Sequence, residues 1–177
     1  MNVNVAINPV YYPYLKDERR LQIYYGGSSS GKSFFLCQRI ILDLLEGKRN
    51  YLVIRNVMAT IRLSTFNELT KAILSMNVQN YFNINMSNLT ITCKLNNKQI
   101  MFYGCDQIEK VKSITPKDGV LTDIFIEEAT EVDYNSYKQL RKRLRGRSDV
   151  PKRVTMAFNP ILRSHWIYEE FFEKVWR

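Results

Sequence analysis

Apolar residues recur along this chain at two spacings, and the spacings take turns. Leu21-Gln22-Ile23-Tyr24-Tyr25, Tyr51-Leu52-Val53-Ile54, Ile124-Phe125-Ile126 and Val154-Thr155-Met156-Ala157-Phe158 are short, mostly apolar runs. They fit strands of a parallel sheet buried on both faces. Between them, Phe34-Phe35-Leu36, Ile40-Ile41 and Leu44-Leu45 lie on one helical face, with Gly47 as the stop. Ile61, Phe66, Leu69, Ile73 and Leu74 predict a second crossover helix over 60–76, and further helices are expected over 134–144 and 165–175. Residues 88–103 read as a hairpin: Leu89 to Leu95 alternates, Asn96-Asn97 turns, and Gln99 to Tyr103 returns. Residues 104–119 read as a polar loop, and 8–15, aromatic and proline-bounded, as an extended arm. Strand and helix in alternation define an α/β fold of three layers, with a mainly parallel central sheet and an antiparallel hairpin added.

Composition narrows the class. The chain has 177 residues, 45% of them hydrophobic, enough for one domain with a sizeable core. Five Pro, seven Gly and the lack of any repeat argue against a linker-rich or solenoid architecture. No apolar run reaches a membrane span and the first residues lack a signal-peptide pattern, so a cytoplasmic protein is expected. Cys37, Cys93 and Cys105, with His165 the single imidazole, provide neither a zinc set nor a disulfide framework, and read as structural thiols. A net charge of +9 suits a polyanionic partner such as nucleic acid.

The chemistry starts at Gly26-Gly27-Ser28-Ser29-Ser30-Gly31-Lys32-Ser33, set between the first strand and the first helix. This is G-x-x-x-x-G-K-S, a phosphate-binding P-loop. Its backbone amides and the helix N-terminus receive phosphate, its lysine reaches the terminal phosphates, and its hydroxyl holds Mg²⁺. ATP and Mg²⁺ are therefore the expected cofactors, with Gly26 to Ser33 as the nucleotide-binding residues. Downstream, Ile124-Phe125-Ile126-Glu127-Glu128 is an apolar strand ending in two acids. Glu127 is the candidate Walker B acid, holding Mg²⁺ with Ser33, and Glu128 the candidate for activating the attacking water. Glutamate at 127 reaches one methylene further than the usual aspartate. Asn159-Pro160 closes the next strand, where a polar side chain can sense a γ-phosphate, and where Asn before Pro is also an ordinary turn signal.

Other positions keep two readings each. A tyrosine of the arm, within residues 1–20, either stacks on adenine or packs on the core. Arg55, Arg62 and Ser64 approach phosphates or are simply paired and solvated. Lys110, Lys112 and Lys117 face DNA or solvent. Arg141-Lys142-Arg143-Leu144-Arg145-Gly146-Arg147 carries five basic residues in seven. It is a solvated helix end, a DNA-backbone patch, or an arginine finger for a neighbouring subunit.

Taken in order, the P-loop, Val53-Ile54-Arg55, the hairpin leading to Phe102-Tyr103-Gly104, Lys112-Ser113-Ile114, Ile126-Glu127-Glu128-Ala129, Leu144-Arg145-Gly146-Arg147, Phe158-Asn159-Pro160 and His165-Trp166 resemble the large terminase subunit of tailed bacteriophages. The resemblance runs over nearly the whole chain. It implies an ATPase motor working in the host cytoplasm as a ring at the portal vertex, driving double-stranded viral DNA into the procapsid with the portal protein and the small terminase subunit as partners. It also implies Lys32 and Glu128 as catalytic residues, Ser33 and Glu127 at the metal, and Asn159 in a coupling motif. There are two departures. Ser28, Ser29 and Ser30 stand where many members place an arginine, and no carboxylate-rich nuclease region follows. The expectation is thus an isolated P-loop ATPase domain over 1–177 without nuclease activity. Two alternatives stay open: another P-loop motor such as a helicase, whose strand-separation motifs are not found, and a nucleotide-gated DNA- or portal-binding module with negligible turnover alone.

Overall fold

The computed structural model of the chain describes residues 3, 5–111 and 113–174. Its strands are β1 (Leu21–Tyr25), β2 (Tyr51–Arg55), β3 (Phe82–Asn85), β4 (Thr90–Cys93), β5 (Gln99–Gly104), β6 (Asp123–Glu127) and β7 (Arg153–Phe158). They form one seven-stranded sheet in the order β1-β7-β6-β2-β5-β4-β3. From β1 to β5 in that order every neighbouring pair is parallel, while β4 and β3 are added antiparallel. The helices are α1 (Lys32–Glu46), α2 (Met58–Ile61), α3 (Thr65–Ser75), α4 (Ile108–Val111), α5 (Tyr134–Arg141) and α6 (Trp166–Tyr168). Among the described residues no helix is long and apolar enough to cross a membrane.

The fully apolar strands are explained by two covered faces. Along β2, Tyr51 and Val53 join one core with Phe35, Ile40 and Ile41 of α1 and Phe66, Leu69 and Ile73 of α3. Leu52 and Ile54, pointing the other way, join a second core with Tyr137 and Leu140 of α5 and Ile167 of α6. The period-2 alternation of a strand is thus present but invisible in hydropathy, because both faces are packed. Gly47 ends α1 in the left-handed region (φ 78°) and donates its amide to the Leu44 carbonyl, a cap that a side chain would strain.

At the amino ends of the central strands, away from the P-loop, lies a buried ionic network. Arg153 Nε donates to Asp123 Oδ1 at 2.5 Å, and Arg49 donates to Asp123 Oδ2 at 3.1 Å. Arg153 also donates to Asp43 and to the Tyr51 hydroxyl, and Arg49 reaches Glu18 at 2.7 Å. The network ties the starts of β2, β6 and β7 to α1.

Several sequence expectations are corrected. The helix expected over 60–76 is broken into α2 and α3: the Ser64 hydroxyl bonds back to the Thr60 carbonyl at 2.9 Å, Ser64 leaves helical geometry (ψ −101°), and Leu63 is left in solvent. The arm over 8–15 is not extended; Pro9–Tyr14 forms a 3-10 helix capped by the Asn8 side chain, which accepts from Val10 N at 3.2 Å, with proline tolerated where no amide donor is needed. The hairpin is a three-stranded meander, since Phe82-Asn83-Ile84-Asn85 alternates and pairs with β4. The loop over 104–119 contains a 3-10 turn, Cys105–Gln107, followed by α4. Helix α5 stops at Arg141 instead of residue 144, and the C-terminal helix is α6 followed by a π-helical turn, Glu169–Glu173, with residue 175 outside the described residues. Lys112 also lies outside them.

Candidate functional site

The P-loop leaves the tip of β1 and enters α1. Its first bond, Gly26 N to the Phe158 carbonyl at 3.3 Å, extends the β1–β7 ladder by one residue, and Ser30 N to the Gly27 carbonyl at 3.1 Å makes the turn. Gly31 sits at φ 78°, a conformation that L side chains rarely adopt, and hands the chain directly to α1. The unpaired amides of the first turn of α1 and its positive dipole end therefore point into the loop. Ser28, Ser29 and Ser30 are exposed around it.

Lys32 is 7% exposed although charged. Its ammonium donates to the carbonyls of Gly26 at 3.0 Å and Gly27 at 3.2 Å and to Asn159 Oδ1 at 3.0 Å. Three acceptors satisfy all three of its protons, which permits the burial. Asn159 comes from the tip of β7, between β1 and β6 in the sheet, so two motifs far apart in sequence meet on one amine. The Ser33 hydroxyl is half-buried and makes no hydrogen bond among the described residues.

Glu127 ends β6 opposite Ala157 of β7. It is 6% exposed, accepts a hydrogen bond from the Thr65 hydroxyl of α3 on Oε2, and lies 3.8 Å from Arg55 Nε. Burial pushes its carboxyl up to about 7; the Thr65 bond and Arg55 oppose that, and Glu68 and Glu128 add to it. The next residue, Glu128, is in the left-handed region at φ 48°. A non-glycine residue there is strained by roughly 1 kcal/mol or more, and such strain collects at functional sites. Its partly exposed side chain makes no hydrogen bond among the described residues, and so is free to act on water.

The raised carboxyl of Glu127 has a consequence for stability. With its pKa at about 7 in the folded chain against an ordinary 4.5, the folded state keeps a proton that the unfolded state has lost between those pH values. Stability contributed by this group is therefore present at low pH, falls as pH rises from about 4.5, and is lost above about 7. Glu127→Gln, which can still accept from Thr65, is expected to stabilise the nucleotide-free chain by roughly 1–3 kcal/mol at pH 8 and hardly at all at pH 4.5, measured by urea unfolding at both.

The donor set suits a magnesium nucleotide. Among the described residues no cluster of three or more His, Cys, Asp or Glu could hold a metal alone. One carboxylate, one hydroxyl and water suit Mg²⁺, which takes its remaining ligands from substrate phosphates. A free Ser33 hydroxyl and a Glu127 Oε1 without a hydrogen bond among the described residues are such donors.

Arg55 is paired with Glu127, and Arg62 donates to the Met86 carbonyl at 3.0 Å, so both are engaged within the fold. In the arm, Tyr11 stacks on Phe35 at 4.6 Å and donates its hydroxyl to the Ser30 carbonyl of the P-loop at 2.8 Å, while Tyr12 and Tyr14 are exposed. Of the basic run that starts at the end of α5, Arg141 and Lys142 line a groove with Arg20, which precedes β1, while the P-loop follows β1. A five-residue strand of about 17 Å lies between Arg20 and the P-loop, which puts Arg141 and Lys142 towards the opposite end of β1 from this chain's own phosphate site. Cys37 and Cys93 are buried and all three thiols are free. Thr65 and Tyr11 carry no motif, and their parts in the site became visible only through these contacts.

A mainly parallel sheet crossed by helices on both faces, with a glycine-bounded loop feeding a helix at its carboxyl edge and two acids two strands away, defines a P-loop NTPase fold. Within that class the chain belongs to the phage terminase large subunit family, whose model matches residues 18–175. It is 35% identical over 167 residues to the PBSX phage terminase large subunit of Bacillus subtilis (strain 168), covering 94% of this chain and 37% of that protein. The chain thus spans under two fifths of that relative's length. Among solved structures, the large terminase of a thermophilic bacteriophage superposes with TM-score 0.72 at 17% identity, over 91% of this chain and 39% of that one. The same terminase has been solved with ATP-gamma-S and with ADP. The ATPase domain of the Thermus phage P74-26 large terminase gives TM-score 0.59 at 12% identity, over 85% of this chain and 62% of that one.

Proposed function

We propose that this chain, as a single P-loop unit over 1–177, hydrolyses ATP with Mg²⁺ to drive double-stranded viral DNA into a procapsid, in a homo-oligomeric ring at the portal in the host cytoplasm. The observation that carries the reading is the meeting of Lys32 with Asn159 and the P-loop carbonyls, in the same crevice edge as Glu127 and Glu128. Nucleotide complexes of the related thermophilic phage enzyme support ATP as the ligand. The portal protein, the small terminase subunit and DNA follow as partners from the family.

In this mechanism the loop amides of 27–33 and the N-terminus of α1 bind the β- and γ-phosphates. Lys32 exchanges carbonyl acceptors for phosphate oxygens. Ser33 and Glu127 would hold Mg²⁺, which when bound would neutralise charge on the phosphates. Glu128 orients the attacking water in line with the γ-phosphate and takes its proton. Drawing Lys32 towards phosphate loosens its bond to Asn159. The tip of β7 thereby registers whether a γ-phosphate is present, a coupling that a motor needs.

Lys32→Ala tests the binding half. It is expected to weaken ATP affinity about 10- to 100-fold, from loss of a charged hydrogen-bonding group, with a retained cooperative melt. Fluorescent-nucleotide titration reads this directly; wild-type affinity in the variant would remove the P-loop from the account.

A further inference from the structure

We propose that Thr65 is a positioning residue for the nucleotide's metal ion, acting by fixing the orientation of the Glu127 carboxylate; this rests on the reading that Glu127 helps to hold Mg²⁺. Thr65 is fully buried at the first position of α3, an element that carries none of the nucleotide motifs. A hydroxyl there ordinarily serves the local backbone. Here the local work falls to Ser64, whose hydroxyl bonds the Thr60 carbonyl, and the Thr65 hydroxyl reaches Glu127 across the fold.

The contact fixes one oxygen and frees the other. Oε2 accepts from Thr65, while Oε1 has no hydrogen bond among the described residues. Arg55 Nε, at 3.8 Å from Oε2, attracts the carboxylate but is too far to bond it, and this buried nitrogen has no hydrogen-bond partner among the described residues. The only directional restraint on the carboxylate among the described residues is therefore the Thr65 hydroxyl.

Glutamate needs such a restraint. Its carboxylate hangs on one more rotatable bond than that of aspartate, and ordering that bond carries an entropy penalty at each binding event unless a neighbour has already fixed it. Hydrogen bonds to ligating carboxylates govern metal affinity by factors of roughly 10 to 100. Thr65 also ties the carboxylate to α3, which shares a core with α1, the helix that follows the P-loop.

The test is Mn²⁺ binding to the ADP complex, followed by electron paramagnetic resonance, for wild type, Thr65→Val, Thr65→Ala and Thr65→Ser. A cooperative melt and ADP binding in EDTA serve as checks on folding. The Val and Ala variants are expected to weaken Mn²⁺ binding about tenfold or more while keeping metal-free ADP binding, and Ser is expected to restore it. Should Val alone fail to fold, the Ala and Ser pair decides by the same readout. Wild-type Mn²⁺ affinity in folded Val or Ala variants would overturn the role of Thr65 and leave the ATPase reading intact. A wild-type chain whose ADP complex takes up no Mn²⁺ would overturn both.

Discussion

Glu128→Gln is expected to bind ATP with Mg²⁺ as the wild-type chain does while its turnover falls about 10²- to 10⁴-fold, the usual contribution of a general base. The substitution is close to isosteric, and the side chain makes no hydrogen bond among the described residues, so it costs the fold no such bond and removes only the charge that helps to raise the Glu127 carboxyl. The backbone at φ 48° turns this residue out of the strand that carries Glu127, and the two adjacent carboxylates thereby acquire different surroundings. Glu127 is buried against Thr65 and Arg55 with its carboxyl raised to about 7, whereas Glu128 stands partly in solvent. Buried and restrained, Glu127 suits a metal; exposed and free, Glu128 suits a water. Comparing ATP affinity with single-turnover hydrolysis separates the two functions. A variant that loses binding along with turnover would place Glu128 among the binding residues.

The second large effect concerns folding. Asp123→Ala is expected to destabilise the chain by about 3–5 kcal/mol in urea unfolding, because it strands two buried arginines at once. Arg153 is 1% exposed and Arg49 3%, and both donate to the Asp123 carboxylate. Burial raises the Asp123 carboxyl and the two guanidiniums pull it back down, which makes the network interdependent. Asp43 and Tyr51 remain on Arg153, and Glu18 on Arg49, so the loss stays within that range instead of abolishing folding. The network lies at the opposite end of β6 from Glu127. Folded Asp123→Ala protein should accordingly keep wild-type ATP affinity, and a matching loss of affinity would show the two ends of the strand to be coupled.

The sequence made the candidate site legible because phosphate chemistry constrains residue type and spacing together. Gly31 must take a positive φ, Lys32 must follow it, and a strand must end in acid at Glu127 and Glu128. The parallel strands were legible for the same kind of reason, since burial on both faces leaves only apolar runs. What stayed hidden depends on contacts between elements. Thr65 looks like any threonine near a helix start until α3 is packed beside β6. Tyr11 was one aromatic among several in the arm, and its bond to the Ser30 carbonyl needs the arm's 3-10 turn, which proline content had suggested was extended. The break between α2 and α3 is set by one serine bonding backwards, a choice that apolar spacing does not register. Strand β3 carried a visible alternation, but four residues are too few to separate from loop without a partner strand.

The central claim is that this chain turns ATP over through Glu128. Steady-state phosphate release by the wild-type chain with ATP and Mg²⁺, across a range of protein concentrations, tests it most directly. The account predicts Mg²⁺-dependent turnover, with a rate per chain that climbs with concentration if a neighbouring copy's arginine completes the site. No turnover at any concentration, with ATP still bound, would contradict it and make the chain a nucleotide-gated binding module instead.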